Sequence, residues 1–408
     1  MSRLVGLIGI VVILSACSSG DASTAARPSP TCPGSWRVIG AANPGNYNEL
    51  HDVAFLNASD GWAVGSRASG GNRIPAMDGG YTYRRGEDRP LIEHWDGRTW
   101  SVTKTPRATG ILGAVSASGP NDAWAVGQES DLAMHWDGQA WRRVRPPFPP
   151  GEAVSLTDVA ALSPTDAWFV GYRSQNYLRT FAAHWDGRHL VTKPTPGSAD
   201  KVDFRLNSLA VVSRGDAWAV GERYFRSYDH TYTLHWDGRR WEEVPSPNAL
   251  TTVPRVTGGL DYNMLQTAGA DGSADVWAAG FHDRAGAGRL QLLTEHWDGS
   301  RWSLVHTPSY SGGVGIGAVA VSGPHDVWAV GSHDIGDGYV PYAMRWKGRS
   351  WVVEPPCRVG MTSGLTGVAV LPSGEVWAVG SYSFESAYRS GSEALIERLP
   401  PEAQHIRR

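Results

Sequence analysis

Short apolar–polar alternations, each of strand length and bounded by Gly, Pro, Asp or Ser, fill the chain from residue 35 to residue 399. Leu156-Thr-Asp-Val-Ala-Ala161 is one such run. A Trp-Ala-Val segment, a stretch ending in His-Trp and a Trp-x-x-Val segment are its usual successors. No run beyond the first residues keeps the 3.6-residue period of a helix. Four short strands are therefore expected per unit. The joint between the third and fourth is Asp-Gly, whose positive φ suits a tight hairpin. The joint between the first and second is Ser-Pro-Thr-Asp or Ser-Gly-Pro-Asn-Asp, again compact.

The pattern returns about every 50 residues, the period of units that share a core with their neighbours. Asp60-Gly-Trp-Ala-Val-Gly65 recurs as Asp122 to Gly127, Asp166 to Gly171, Asp216 to Gly221, Asp275 to Gly280, Asp326 to Gly331 and Glu375 to Gly380. His94-Trp95-Asp96-Gly97 recurs at His135, His184, His235 and His296, and in altered form as Arg345-Trp-Lys-Gly348. The seventh unit ends in Ala394-Leu-Ile-Glu-Arg-Leu399 without that turn or a following Trp. Its missing strand lies at the other end, where Ser35-Trp36-Arg37-Val38-Ile39 matches Thr99-Trp100-Ser101-Val102. The expected fold is all-β: a seven-bladed β-propeller, four antiparallel strands per blade, the last blade closed by the N-terminal strand. All 19 Trp sit at repeat positions and read as wedges between blades.

Arg3 precedes an apolar run from Leu4 to Leu14, the length of a secretory leader. Leu14-Ser15-Ala16-Cys17 resembles the lipobox of bacterial lipoproteins. That resemblance implies a signal peptide over 1–16, lipid (palmitate) on Cys17, a flexible tether over 17–34, and display on the outer side of the cytoplasmic membrane. The propeller then spans 35–399 and a polar tail 400–408. Cys32 and Cys357 make a disulfide the default in an exported protein. The repeat register, however, places them at opposite ends of the sheet, so the sequence leaves their pairing open.

A net charge of −3, from 37 basic and 40 acidic residues, carries no nucleic-acid footprint. No polybasic run suggests membrane contact beyond the lipid, and a monomer is expected. Function should lie where the blades differ: in the loops between second and third strands and in the crossovers between blades, which share one face. The Trp belong to the framework, whereas all 14 Tyr fall on segments serving that variable face. Tyr with Arg is enriched where proteins bind partners or sugars. Tyr83, Arg85, Tyr172, Tyr177, Arg223, Tyr224, Tyr228, His282, Tyr339 and Tyr382 are the candidate ligand-binding residues. Tyr also packs long loops on strand ends, so the set carries the argument rather than any single ring.

A second candidate is the channel mouth. Eleven and ten residues before each repeat Trp stand His51-Asp52, Gly113-Ala114, Thr157-Asp158, Asn207-Ser208, Gln266-Thr267, Gly317-Ala318 and Thr366-Gly367. His51, Asp52, Asp158, Asn207 and Gln266 would make one arc polar, a small-ligand site or a water-filled channel. Asp52 with Asp158 could form a glycosidase pair, though their blades are not neighbours. Calcium held by Asp52, Asp158 and Asn207 is a further option; otherwise no cofactor is expected. The chain lacks a Gly-x-Ser-x-Gly elbow, a His-Glu-x-x-His pair and a phosphate loop. Asp-Gly-Arg-Thr-Trp is only superficially similar to the sialidase Asp-box, whose spacing differs.

The chain as a whole resembles a poorly characterised group of secreted and lipid-anchored bacterial propellers with Asp-x-Trp-Ala-Val-Gly and His-Trp-Asp-Gly-x-x-Trp repeats. That resemblance implies the architecture and supplies no catalytic residue. The expected function is a cell-surface binding module that captures an extracellular glycan or protein. A polysaccharide hydrolase or lyase and an assembly scaffold are the alternatives.

Overall fold

A computed structural model describes residues 29–75, 81–128, 130–148, 152–174, 176–197, 202–225, 228–249, 262–283, 289–310, 312–360, 362–385 and 390–401. Cys17 and the leader lie outside the described residues. Every regular element within them is a β-strand.

The strands form a propeller arrangement of small antiparallel four-stranded sheets. Five of these are separate, and an eight-stranded sheet holds the rest of the framework. In unit four the order is Asp203–Ser213, Asp216–Phe225, Tyr228–Trp236 and Trp241–Glu243. The eight-stranded sheet contains two such groups, joined by a single parallel residue pair, Tyr47 with Ser392. One group begins at Tyr47–Asn57. The other ends on Ser390–Leu399, with Arg37–Ile39 added antiparallel along its edge so that Ile39 faces Ile396. The N-terminal strand thus completes the last sheet, as the sequence predicts. Innermost strands touch in order round a closed cycle, from Tyr47–Asn57 through Ile111–Gly119 and onward to Thr362–Val370, which returns to the first.

The repeat residues explain the packing. Each mid-strand Trp lies in the interface with the next unit: Trp62 meets Trp136 and Trp141 at 5.1 Å, and Trp328 meets Trp36 at 6.0 Å. Behind each Trp ring the repeat His stacks at 4.2 to 4.7 Å. The His Nε2 bonds the Asp that opens the second strand at 2.6 to 2.8 Å. In unit six Arg345 replaces the His, pairing with Asp326 at 2.6 Å and lying over Trp328. In unit seven Arg398 and Glu375 do the same over Trp377. These side chains are structural, as their recurrence implied.

Two features differ from or settle the sequence reading. Cys32 and Cys357 are bonded. The crossover after Trp351–Val353 leaves its own sheet and runs beside the N-terminal segment, where Thr31 and Arg358 exchange backbone hydrogen bonds. The register argument assumed that the crossover stayed with its strand. Secondly, the long segment after Ala68 forms a two-stranded sheet of its own, Gly70–Pro75 with Tyr81–Arg85.

Candidate functional site

All seven innermost strands carry a β-bulge at the channel-mouth pair, between Leu50 and Asp52 in unit one and at the equivalent place in every other. A bulge leaves ladder groups unpaired and re-aims a side chain. Here the side chains bond the next unit. Asp52 accepts from Val53 and Val115 N–H, both at 2.8 Å. Asp158 accepts from Val159 and Leu209 N–H and from the Ser208 hydroxyl, each at 2.7 Å. Ser208 and Thr267 in turn accept from Ala268 and Val319 N–H. Thr157, Asn207 and Thr366 donate to Leu206, Leu265 and Leu50 carbonyls. Glycine stands where the next backbone comes closest: a Cβ on Gly317 would lie 2.5 Å from the Leu365 carbonyl oxygen.

The polar arc read from the sequence is therefore a row of staples between units. Burial pushes Asp52 up to about 7 and Asp158 up to about 6. His51 has a buried Nε2 without a hydrogen-bond partner, 4.0 Å from Glu49, and burial lowers its pKa. Gln266 is half-buried. Among the described residues no group of three or more His, Cys, Asp or Glu is placed to hold a metal.

The loop rim is different. Strand register places several tyrosines at the loop ends of the sheets: Tyr47 faces Ala68, Tyr262 faces Asp283, and Tyr224 faces Asp203, whereas Tyr232 and Tyr342 face the repeat glycines and are buried. Buried polar atoms without hydrogen bonds occur in several units: Arg205 Nε, both Glu222 oxygens, His282 Nδ1, Asp283 Oδ1 and the Tyr310 and Tyr342 hydroxyls in units four to six, and His51 Nε2, Ser66 Oγ and Ser130 Oγ in units one and two. Unsatisfied buried groups are costly, and a run of them calls for a partner or ordered water.

In unit four Arg205 and Glu222 face each other across the ladder. The Arg205 guanidinium lies 5.0 Å from the Tyr172 ring centre and 5.2 Å from that of Tyr224. Its Nη1 is 3.7 Å from Glu222, which is fully buried. Burial pushes Glu222 up to about 7 and Asp229 up to about 6. Burial and the Glu222 charge push Tyr224 up strongly and Tyr262 up to about 12. Tyr262 stacks on Phe281 at 5.7 Å, and Tyr310 on Tyr342 at 5.3 Å.

The other candidates are distributed as follows. Arg85 bonds Glu49 at 3.1 Å and Asp88 at 2.6 Å and lies over Tyr47. Arg223 pairs with Glu243 at 3.3 Å. Tyr177, under Arg179, and Tyr339 are exposed, at 38% and 51%. Tyr382 is buried and bonds Glu393, so its ring belongs to the core of the last sheet. The side chains of Tyr83 and Tyr228 lie outside the described residues. Sequence reasoning missed Arg205 and Glu222. A signal existed: the position after the repeat Gly is Ser66, Gln128, Tyr172, Phe281, Ser332 and Ser381 elsewhere, so Glu222 is the one acid.

A cleft of about 380 Å³ between units three and four is lined by framework residues, among them Trp168, His184, Trp236 and Gly238. Those belong to the opposite, tight-turn face.

No protein-family model matches the chain, and no curated protein matches it. Solved structures do. YCF48 bound to a D1 peptide is 16% identical, covering 91% of this chain and 100% of that one, with a TM-score of 0.52. YCF48 from Cyanidioschyzon merolae is 18% identical, covering 90% and 99%, with a TM-score of 0.53. A catalytically inactive virginiamycin B lyase from Staphylococcus aureus, with quinupristin, is 10% identical, covering 89% and 98%, with a TM-score of 0.53. At these identities the likeness is one of fold alone.

Proposed function

We propose that the chain is a seven-bladed propeller, the eight-stranded sheet counting as two blades, that captures an extracellular protein on its loop rim between units three and six. On this reading the lipid on Cys17 holds it outside the cytoplasmic membrane. The carrying observation is the Arg205 guanidinium held between the rings of Tyr172 and Tyr224, with buried polar atoms of the same sheets that make no hydrogen bond. A protein is favoured over a glycan because the exposed tyrosines, Tyr177 and Tyr339, stand in separate units along the rim and line no common cleft. The peptide-bound YCF48 structure is compatible with such a role for this fold.

The rival reading, a polysaccharide hydrolase or lyase at the channel mouth, has less support. Asp52 and Asp158 spend their oxygens on backbone N–H groups of their own and the next unit. The test is capture by the full-length protein from peptide and glycan arrays, repeated with Tyr172→Ala plus Tyr224→Ala. Peptide capture should be lost in the double variant without a matching loss of melting temperature. Undiminished capture would remove these rings from the site.

A further inference from the structure

Arg205 differs from four rim arginines that have partners, and from Arg67 and Arg89 in lying between two tyrosine rings. Arg85 has two carboxylate partners, Arg173 has Glu152 at 3.4 Å, Arg223 has Glu243, and Arg179 donates to the Val202 carbonyl. Arg205 has a 3.5 Å contact to the Tyr224 hydroxyl and the 3.7 Å approach to Glu222, while its Nε makes no hydrogen bond. Charge-assisted bonds run at about 2.7–2.9 Å, so neither contact commits the guanidinium.

Two rings nevertheless fix its position, which lowers the entropy lost on pairing. The side chain is 36% accessible, whereas Glu222 is sealed beneath it. A ligand approaching here meets a positioned, partly exposed guanidinium that makes no short charge-assisted bond, and the group that best pairs with it is a carboxylate. Asp229 lies close by, so a dianion such as a phosphate would be repelled more than a single carboxylate. A slim side chain can also reach between the flanking rings.

Resting on the reading of the rim as a protein-binding surface, we propose that Arg205 selects the partner by pairing with an Asp or Glu side chain on a segment laid across units three and four. Burial of Glu222 supports this, since a carboxylate pushed up to about 7 competes weakly for the guanidinium near neutral pH.

The test uses bead-displayed random decapeptides, C-terminally amidated, with a fixed central Glu, Gln or phosphoserine, a free-carboxylate Gln set, and polygalacturonate as a glycan arm. Full-length protein should retain the Glu set about tenfold over the amidated Gln set. The preference should vanish in Arg205→Gln and survive in part in Arg205→Lys, with melting temperature as the folding control. Equal retention of Glu and Gln sets, or an unchanged preference in Arg205→Gln, would overturn the assignment. A preference for phosphoserine, the free terminus or polygalacturonate would overturn it too. Peptide binding that falls in the Tyr172/Tyr224 double variant but persists in Arg205→Gln would leave the rim reading standing and sink Arg205. No peptide retained at all would sink both.

Discussion

The Asp and His of each repeat form a bonded pair behind a tryptophan, and two units show what that pair can become. Arg345 with Asp326, and Arg398 with Glu375, occupy the same place and lie over the same ring. The requirement is a flat cation or imidazole that covers the Trp and meets a carboxylate. His235→Arg should therefore be tolerated, with a cost below about 1 kcal/mol. Asp216→Ala should cost about 1–3 kcal/mol, because the stacked His235 loses its partner at 2.8 Å. Urea unfolding of the two variants checks this; equal costs would show that the ring stack alone matters. This level was legible in the sequence because the pair recurs. Arg205 and Glu222 were not, since each occurs once and only the strand register brings them together.

Between strands, buried carboxylates hold the crossovers. Glu93 accepts from Ala42 N–H at 3.1 Å, and Glu397 accepts from Cys357 N–H at 2.8 Å, beside the disulfide. Both stand at the residue before the repeat His or its substitute, as does Glu295. Burial pushes Glu93 up to about 7 and Glu397 up to about 8, and raises Glu295 well above the ordinary range. A raised native pKa means that the folded state binds more protons than the unfolded one between about pH 4.5 and 8. Stability should therefore decline as pH rises through 6 to 8. The denaturant midpoint should be higher at pH 5.5 than at pH 8.5, and Glu397→Gln should shrink the difference. A flat or rising midpoint in the parent protein would contradict the assignment. The strand order was legible here from the repeat, but the course of the crossover near Cys357 was not, because loops carry no repeat to align.

For the whole molecule, the repeat made the architecture readable: small antiparallel four-stranded sheets in a propeller arrangement, with Arg37–Ile39 added to the last one. At the pairs expected to line the channel mouth, whether a polar side chain is free depends on the bulge and on the neighbouring backbone, which the sequence does not show. The account's central claim is that the loop rim, and not the sides of the ring, meets a partner. The direct measurement is photo-crosslinking in cells with benzoylphenylalanine placed at Tyr177 or Tyr339 on the rim, or at Val191 or Leu304 on exposed outer strands. The account predicts a discrete protein adduct from the rim positions, lost when Tyr172 and Tyr224 are both alanine, and none from the outer strands. Equal adducts from Val191 and Leu304, or none from the rim, would contradict it.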